Sequence, residues 1–244
     1  MENETKLLAG GMVTLSLATA ALVVLPFLQL KNVPPPEGLK PYTSQQLRGR
    51  QVYMSNGCIA CHTQQPSSTG AGVADSARGW GRPSVAGDYY YDQPVLLGTS
   101  RTGPDLFNIG ARQPSADWQL GHLFQPRAYV PGSIMPAFPF LFEIKKPGDV
   151  SKDERVVSLP PGTAPEGRVV VARPEAMDLV AYLLSLNHTY DALTPEQLKY
   201  AESRLPPERL KQDKKLEQGG QPAANTKQGE SDEKGKADGA KANP

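Results

Sequence analysis

The sequence is poor in the residues that most metal and redox chemistry draws on. Two cysteines and three histidines in 244 residues exclude a multi-cysteine zinc site and a disulfide framework. No βαβ pattern surrounds the cysteine pair, which argues against a thioredoxin-like dithiol. The formal net charge is +1, and lysine and arginine form no stripe interleaved with aromatics, so nucleic acid is not an expected partner. Only one long apolar run occurs. Nothing supplies copper ligands or a multi-helix membrane domain.

Both cysteines fall in Cys58-Ile59-Ala60-Cys61-His62, the C-x-x-C-H pattern of c-type haem attachment. Two thiols three positions apart reach the two vinyl groups of one porphyrin, and the next residue sets an imidazole under the iron. Cys58 and Cys61 are thus the expected thioether tethers, and His62 the proximal ligand of a single covalent haem c. Attachment of this kind takes place outside the bacterial plasma membrane.

Residues 7–30, LLAGGMVTLSLATAALVVLPFLQL, carry no charge. As a helix they reach about 36 Å, enough for a hydrocarbon core of ~30 Å. They read as an uncleaved transmembrane anchor; a cleaved signal peptide is the alternative, disfavoured by the length of the run and the poorly basic flank of Glu2, Glu4 and Lys6. Haem attachment then sets the orientation: residues 1–6 cytoplasmic, the remainder periplasmic, at the inner membrane. A stiff proline-rich spacer over 31–40 should hold the domain off the membrane.

Thr43 and Gln46 form a capping box that opens a helix ending near Asn56-Gly57. Gly49 and Tyr53 share one face, inviting a second helix to pack there. The apolar residues of Glu175–Leu186 supply one, and a further helix runs from Ser115 to Phe124. Glycine and proline breaks predict that the intervening chain wraps the haem as loops. Two β-prone runs, 155–159 and 168–172, read as a hairpin within an insertion over 143–174. The expected organisation is a haem domain at 41–190 and a C-terminal extension at 191–244, disordered from about 211.

For the second axial ligand, Met1 and Met12 belong to the membrane end and Met54 to the haem-bearing helix. Met177 reads as core filling. Met135, in the proline-stiffened stretch from Val130 to Pro139, is favoured, with His122 the alternative; His188 is expected at the surface. His/Met ligation fills both faces of the iron, which suits electron transfer.

Many motifs then fall in one order: Pro41-Tyr42-Thr43, Gly49-Arg50, Tyr53, Gly57-Cys58, Cys61-His62-Thr63-Gln64, Arg101-Thr102-Gly103-Pro104-Asp105-Leu106, Asp117-Trp118, His122-Leu123, Pro126-Arg127 and Ser133-Ile134-Met135-Pro136-Ala137. This set resembles the membrane-anchored monohaem subunit (subunit II) of cbb₃-type, or C-type haem-copper, cytochrome c oxidases. The resemblance implies a mainly α chain: a transmembrane helix followed by a class I cytochrome c domain. It also implies that the Pro104 carbonyl accepts the ring N–H of His62, and that Arg101, Arg112, Arg127 and Trp118 are candidates to meet the haem propionates. The implied role is non-catalytic: electrons pass from a dihaem or soluble cytochrome c donor to the haem-copper catalytic subunit. Rival readings are an anchored cytochrome of a nitric oxide reductase or other respiratory complex, and a haem-based gas sensor. The chain departs from the family pattern over 65–83 and 143–174, and it carries Arg82-Pro83 and Gln93 where the family pattern has histidines.

Overall fold

The computed structural model describes residues 2–66 and 75–192; the glycine break at 70–72 and the extension from 193 onward lie outside the described residues. Helix α1 (Glu2–Thr19) runs into a π-helical turn (Ala20–Val24) and then α2 (Leu25–Leu30). Pro26 accounts for the turn. It lacks an N–H and its ring crowds the carbonyl one turn back, so the chain widens locally and Leu25 donates to the Ala20 carbonyl instead. The 28 residues Asn3–Leu30 are apolar enough to cross a membrane, and none of them is buried within the protein.

Helix α3 (Ser44–Ser55) starts at the predicted capping box: the Gln46 amide N–H donates to Thr43 Oγ1 at 3.3 Å, and the Thr43 N–H donates to Gln46 Oε1 at 2.8 Å. It stops at Asn56 and Gly57, whose φ of +66° turns the chain sharply into the haem motif. Helices α4 (Ile109–Arg112) and α5 (Ala116–Phe124) follow; Ser115 Oγ caps α5 by accepting from the Trp118 amide. The last helix, α6 (Pro174–Ser185), begins with proline at its first position, where no N–H is needed.

The crossing of α3 and α6 is the centre of the domain. A Cβ at Gly49 would overlap the Asp178 carbonyl, so only glycine lets the two backbones come this close. Tyr53 and Tyr182 pack beside the crossing with ring centroids 5.5 Å apart, and Tyr42 adds a third ring 5.8 Å from Tyr182. Leu120, Leu179, Val180 and Leu186 complete a core that joins α5 to α6. At the rim, Arg48 grips Asp178 through two hydrogen bonds of 2.7 and 3.0 Å.

The expected hairpin is present, but as two strands of a three-stranded antiparallel sheet. Strands β1 (Phe142–Lys145), β2 (Arg155–Val156) and β3 (Val169–Ala172) are ordered β1-β3-β2, with Phe142 opposite Ala172 and Arg155 opposite Ala172 on the other side. The sequence reading missed β1. Its four residues alternate only weakly, and what makes it a strand is pairing with the buried run of β3.

The proline-rich segment does not stand free of the domain. Gly38 lies against Tyr190, where a Cβ would overlap the ring, and Pro34 and Pro36 close over Gly87. Tyr190 is tied in turn, its hydroxyl donating to Asp88 at 3.1 Å and its carbonyl accepting from Arg82 at 3.1 Å.

Candidate haem site

Gly57 turns α3 into a single 3₁₀ turn, Cys58–Ala60, that presents two free thiols, Cys58 half-buried and Cys61 exposed. Burial pushes the Cys58 thiol up to about 11, so it carries its proton at neutral pH. The next residue is His62. Its Nδ1 stands 2.8 Å from the Pro104 carbonyl oxygen. A neutral imidazole that donates there leaves Nε2 as a lone pair for a metal. Gly103 is flat against the ring, since a Cβ at that position would overlap the imidazole. Burial lowers the proton affinity of His62 and the nearby Arg112 charge lowers it further, against the opposing effect of the Pro104 bond.

The two segments that meet here are sewn together by Asp105, which is fully buried. One carboxylate oxygen accepts from Thr63 Oγ1 at 2.5 Å and from the Gln65 amide at 2.8 Å; the other accepts from the Phe107 amide at 2.8 Å. Backbone bonds from Gly103 to Cys61 (2.9 Å) and from Leu106 to Thr63 (2.8 Å) add to the seam. Asp105 therefore fixes the Pro104 carbonyl that fixes His62. Sequence reasoning noted Asp105 only as part of a motif. The usable signal was an acidic residue directly after the Gly-Pro pair.

The four propionate candidates are placed differently from one another. Arg101 is taken up by the protein: its guanidinium donates to Asp75 (2.9 Å), Thr63 Oγ1 (3.1 Å) and the Gln65 carbonyl (2.8 Å), making it a clamp between loops. Arg127 is exposed on a 3₁₀ turn. Trp118 stacks on His122 with centroids 4.6 Å apart and planes 8° from parallel. Arg112 is half-buried, donates to the Asp105 carbonyl at 2.8 Å, and has no carboxylate at ion-pair distance among the described residues. Burial lowers its pKa. Trp80, which sequence reasoning gave no role, receives the guanidinium groups of Arg78, Arg101 and Arg112 at 5.1, 5.6 and 6.0 Å from its centroid.

Met135 is half-buried against the core, its amide donating to Ser133 Oγ at 3.2 Å. The loop that carries it hangs from α5, because the Phe138 amide donates to the Leu123 carbonyl at 3.0 Å. His122, the alternative ligand, lies on that same turn of α5. Burial and the charge of His62 bring its pKa down to about 4, and its buried Nδ1 has no hydrogen-bond partner among the described residues. His188 is not at the surface as expected. It is 7 % exposed, stacks on Phe107 at 3.9 Å, and donates from Nδ1 to the Phe107 carbonyl at 2.6 Å. The ring is apolar enough on both faces to fill the space behind Phe107, which a lone histidine past a helix end does not reveal.

These residues fit a haem: paired thiols on a turn, an imidazole pre-set by a carbonyl, and, among the described residues, a half-buried guanidinium without an ion-pair partner and a buried Nδ1 without a hydrogen-bond partner. Comparison with protein families matches residues 1–159 to the family described as cytochrome c oxidase, mono-heme subunit/FixO. The chain belongs to this family. As a mono-haem oxidase subunit, it has in its N-terminal apolar helix a segment long enough for a membrane anchor. The match ends before β3 and α6, so the helix that closes the core lies beyond the matched residues. No curated protein sequence matches the chain.

Proposed function

We propose that this oxidase subunit relays single electrons from a dihaem or soluble cytochrome c to the haem-copper catalytic subunit of a cbb₃-type oxidase, and has no oxygen chemistry of its own. The observation that carries this reading is the 2.8 Å contact between His62 Nδ1 and the Pro104 carbonyl, directly after the two thiols. A haem c bound here supplies reversible one-electron exchange. Cys58 and Cys61 would tether it through thioethers, and His62 Nε2 and the Met135 thioether are the side chains that would hold its iron. With both side chains engaged, a gas would have to displace one of them before binding. The Asp105 seam keeps the imidazole from rotating, and Arg112 balances the charge of a propionate.

Because covalent haem attachment occurs outside the bacterial plasma membrane, the haem domain at 41–190 faces the periplasm, the span at 7–30 crosses the inner membrane, and residues 1–6 stay in the cytoplasm. Exchange of Met135 tests the ligand assignment. Met135→Ala retains covalently attached haem but lowers its reduction potential and slows oxidase turnover. An unchanged potential removes Met135 as ligand.

A further inference from the structure

We propose that Tyr90, Tyr91 and Val95 rest on the lipid headgroups of the membrane that the N-terminal helix crosses, so that the haem domain lies on the bilayer along this face. This rests on the reading of residues 7–30 as a membrane span.

The chain leaves that span on a short tether. The Lys31 amide donates to the Phe27 carbonyl at 2.9 Å, continuing the helix, and the Val33 amide donates to the Leu30 carbonyl at 3.0 Å, closing a turn. Such a turn keeps its end Cα atoms under about 7 Å apart, and one more residue adds about 3.8 Å, so Pro34 lies within about 11 Å of Leu30. Pro34 is already docked on the domain: a Cβ on Gly87 would lie 2.8 Å from its carbonyl oxygen and 3.1 Å from Pro36. The headgroup layer outside a ~30 Å hydrocarbon core is about 5–8 Å deep on each side. With so little chain between the span and Gly87, this face cannot stand far off the bilayer surface.

The dock is also held from the domain side. Asp88 accepts from two nitrogens of the Arg82 guanidinium at 2.7 and 2.9 Å, Arg82 donates to the Tyr190 carbonyl, and Tyr190 lies against Gly38. A tether fixed at Pro34, Pro36 and Gly38 has no slack to give.

The surface that follows Gly87 suits the lipid interface. The Tyr90 amide donates to the Gly87 carbonyl at 3.2 Å, which puts Tyr90 on the same turn as the dock. Tyr90, Tyr91 and Val95 are 53, 37 and 44 % exposed, and the two tyrosine rings meet edge-on with centroids 5.1 Å apart. Tyrosine, apolar in its ring and polar at its tip, is enriched where a bilayer meets water. Between residues 83 and 100 the charged residues are Asp88 and Asp92. Both are buried, Asp88 against Arg82 and Asp92 3.3 Å from Arg50. The stretch turns its charges inward and its tyrosines outward. The tether's exposed charges are Lys31, Lys40 and Glu37, a positive balance that suits anionic lipid.

The test uses the full chain in its oxidase complex, reconstituted into vesicles of phosphatidylethanolamine and phosphatidylglycerol. The photoreactive amino acid para-benzoylphenylalanine replaces Tyr90 or Tyr91, and Phe27 within the span as a reference; after irradiation, mass spectrometry identifies what each position has captured. The expected result is lipid adducts at 90 and 91 in yields comparable to that at 27. Capture of another subunit in place of lipid overturns the proposal, placing this face in a protein interface. Absence of adducts at both 90 and 91, with lipid captured at 27, overturns it by placing the face in water. If 27 captures no lipid and alkaline carbonate strips the chain from the vesicles, the reading of the span has itself failed.

Discussion

Gly103 lies flat on the imidazole of His62, and the next carbonyl, that of Pro104, accepts from its Nδ1 at 2.8 Å. The glycine is what allows the bond, because any side chain at 103 meets the ring first. Gly103→Ala should displace the imidazole and weaken the bond to Pro104. That bond increases the basicity of the iron-facing nitrogen and favours ferric iron, so its loss should raise the potential while lowering the yield of haem-loaded protein. Potentiometry and haem content per chain check both.

At the helix crossing, two neighbouring substitutions should differ sharply. Gly49→Ala drives a methyl into the Asp178 carbonyl and should cost about 1–3 kcal/mol, the usual penalty for overpacking a close-packed interior. Arg48→Ala removes an ion pair whose arginine side chain is 62 % exposed, and should cost under about 1 kcal/mol. Denaturant unfolding of the two variants under identical conditions measures the contrast.

Acid should destabilise the domain through its buried histidines. Burial lowers the pKa of His188, and burial together with the charge of His62 lowers that of His122 to about 4 from an ordinary 6.5. Between those two values the unfolded chain takes up a proton at His122 that the folded chain refuses. Stability is therefore intact above about 6.5 and falls as the pH drops toward 4. His122→Phe should flatten this slope over the same window, with midpoints of thermal unfolding read at a series of pH values.

The proline-rich segment is docked, and its docking depends on Gly87. A Cβ there would lie 2.8 Å from the Pro34 carbonyl oxygen and 3.1 Å from Pro36. Gly87→Val should lift the segment off the domain without releasing the protein from the membrane. Faster proteolysis within 31–40, with the membrane fraction unchanged, is the expected outcome; an unchanged cleavage rate would mean the segment holds by other contacts.

Much of this architecture could be read from local chemistry. Thr43 and Gln46 announce a helix start because both halves of the capping box are in the chain itself, and Gly49 with Tyr53 marks the face that α6 covers. The C-x-x-C-H pattern specifies its own site for the same reason. What escaped was long-range. Strand β1 exists because β3 pairs with it, the burial of His188 depends on Phe107 eighty-one residues earlier, and Arg101 is claimed by Asp75 across a loop. Asp105 organises the site from a position where sequence shows only one acid among many. The spacer reads as free because its prolines dictate an extended backbone while saying nothing of the surface it lies on.

The relay itself is tested most directly by purifying the chain from its native membrane in mild detergent, then recording reduced-minus-oxidised spectra during oxygen consumption. The account predicts a c-type band that stays with this chain on denaturation, b-type bands that co-purify with it, and oxygen uptake sustained by a reduced cytochrome donor. A c-type band alone, inert to oxygen and without a partner after gentle cross-linking, would contradict it.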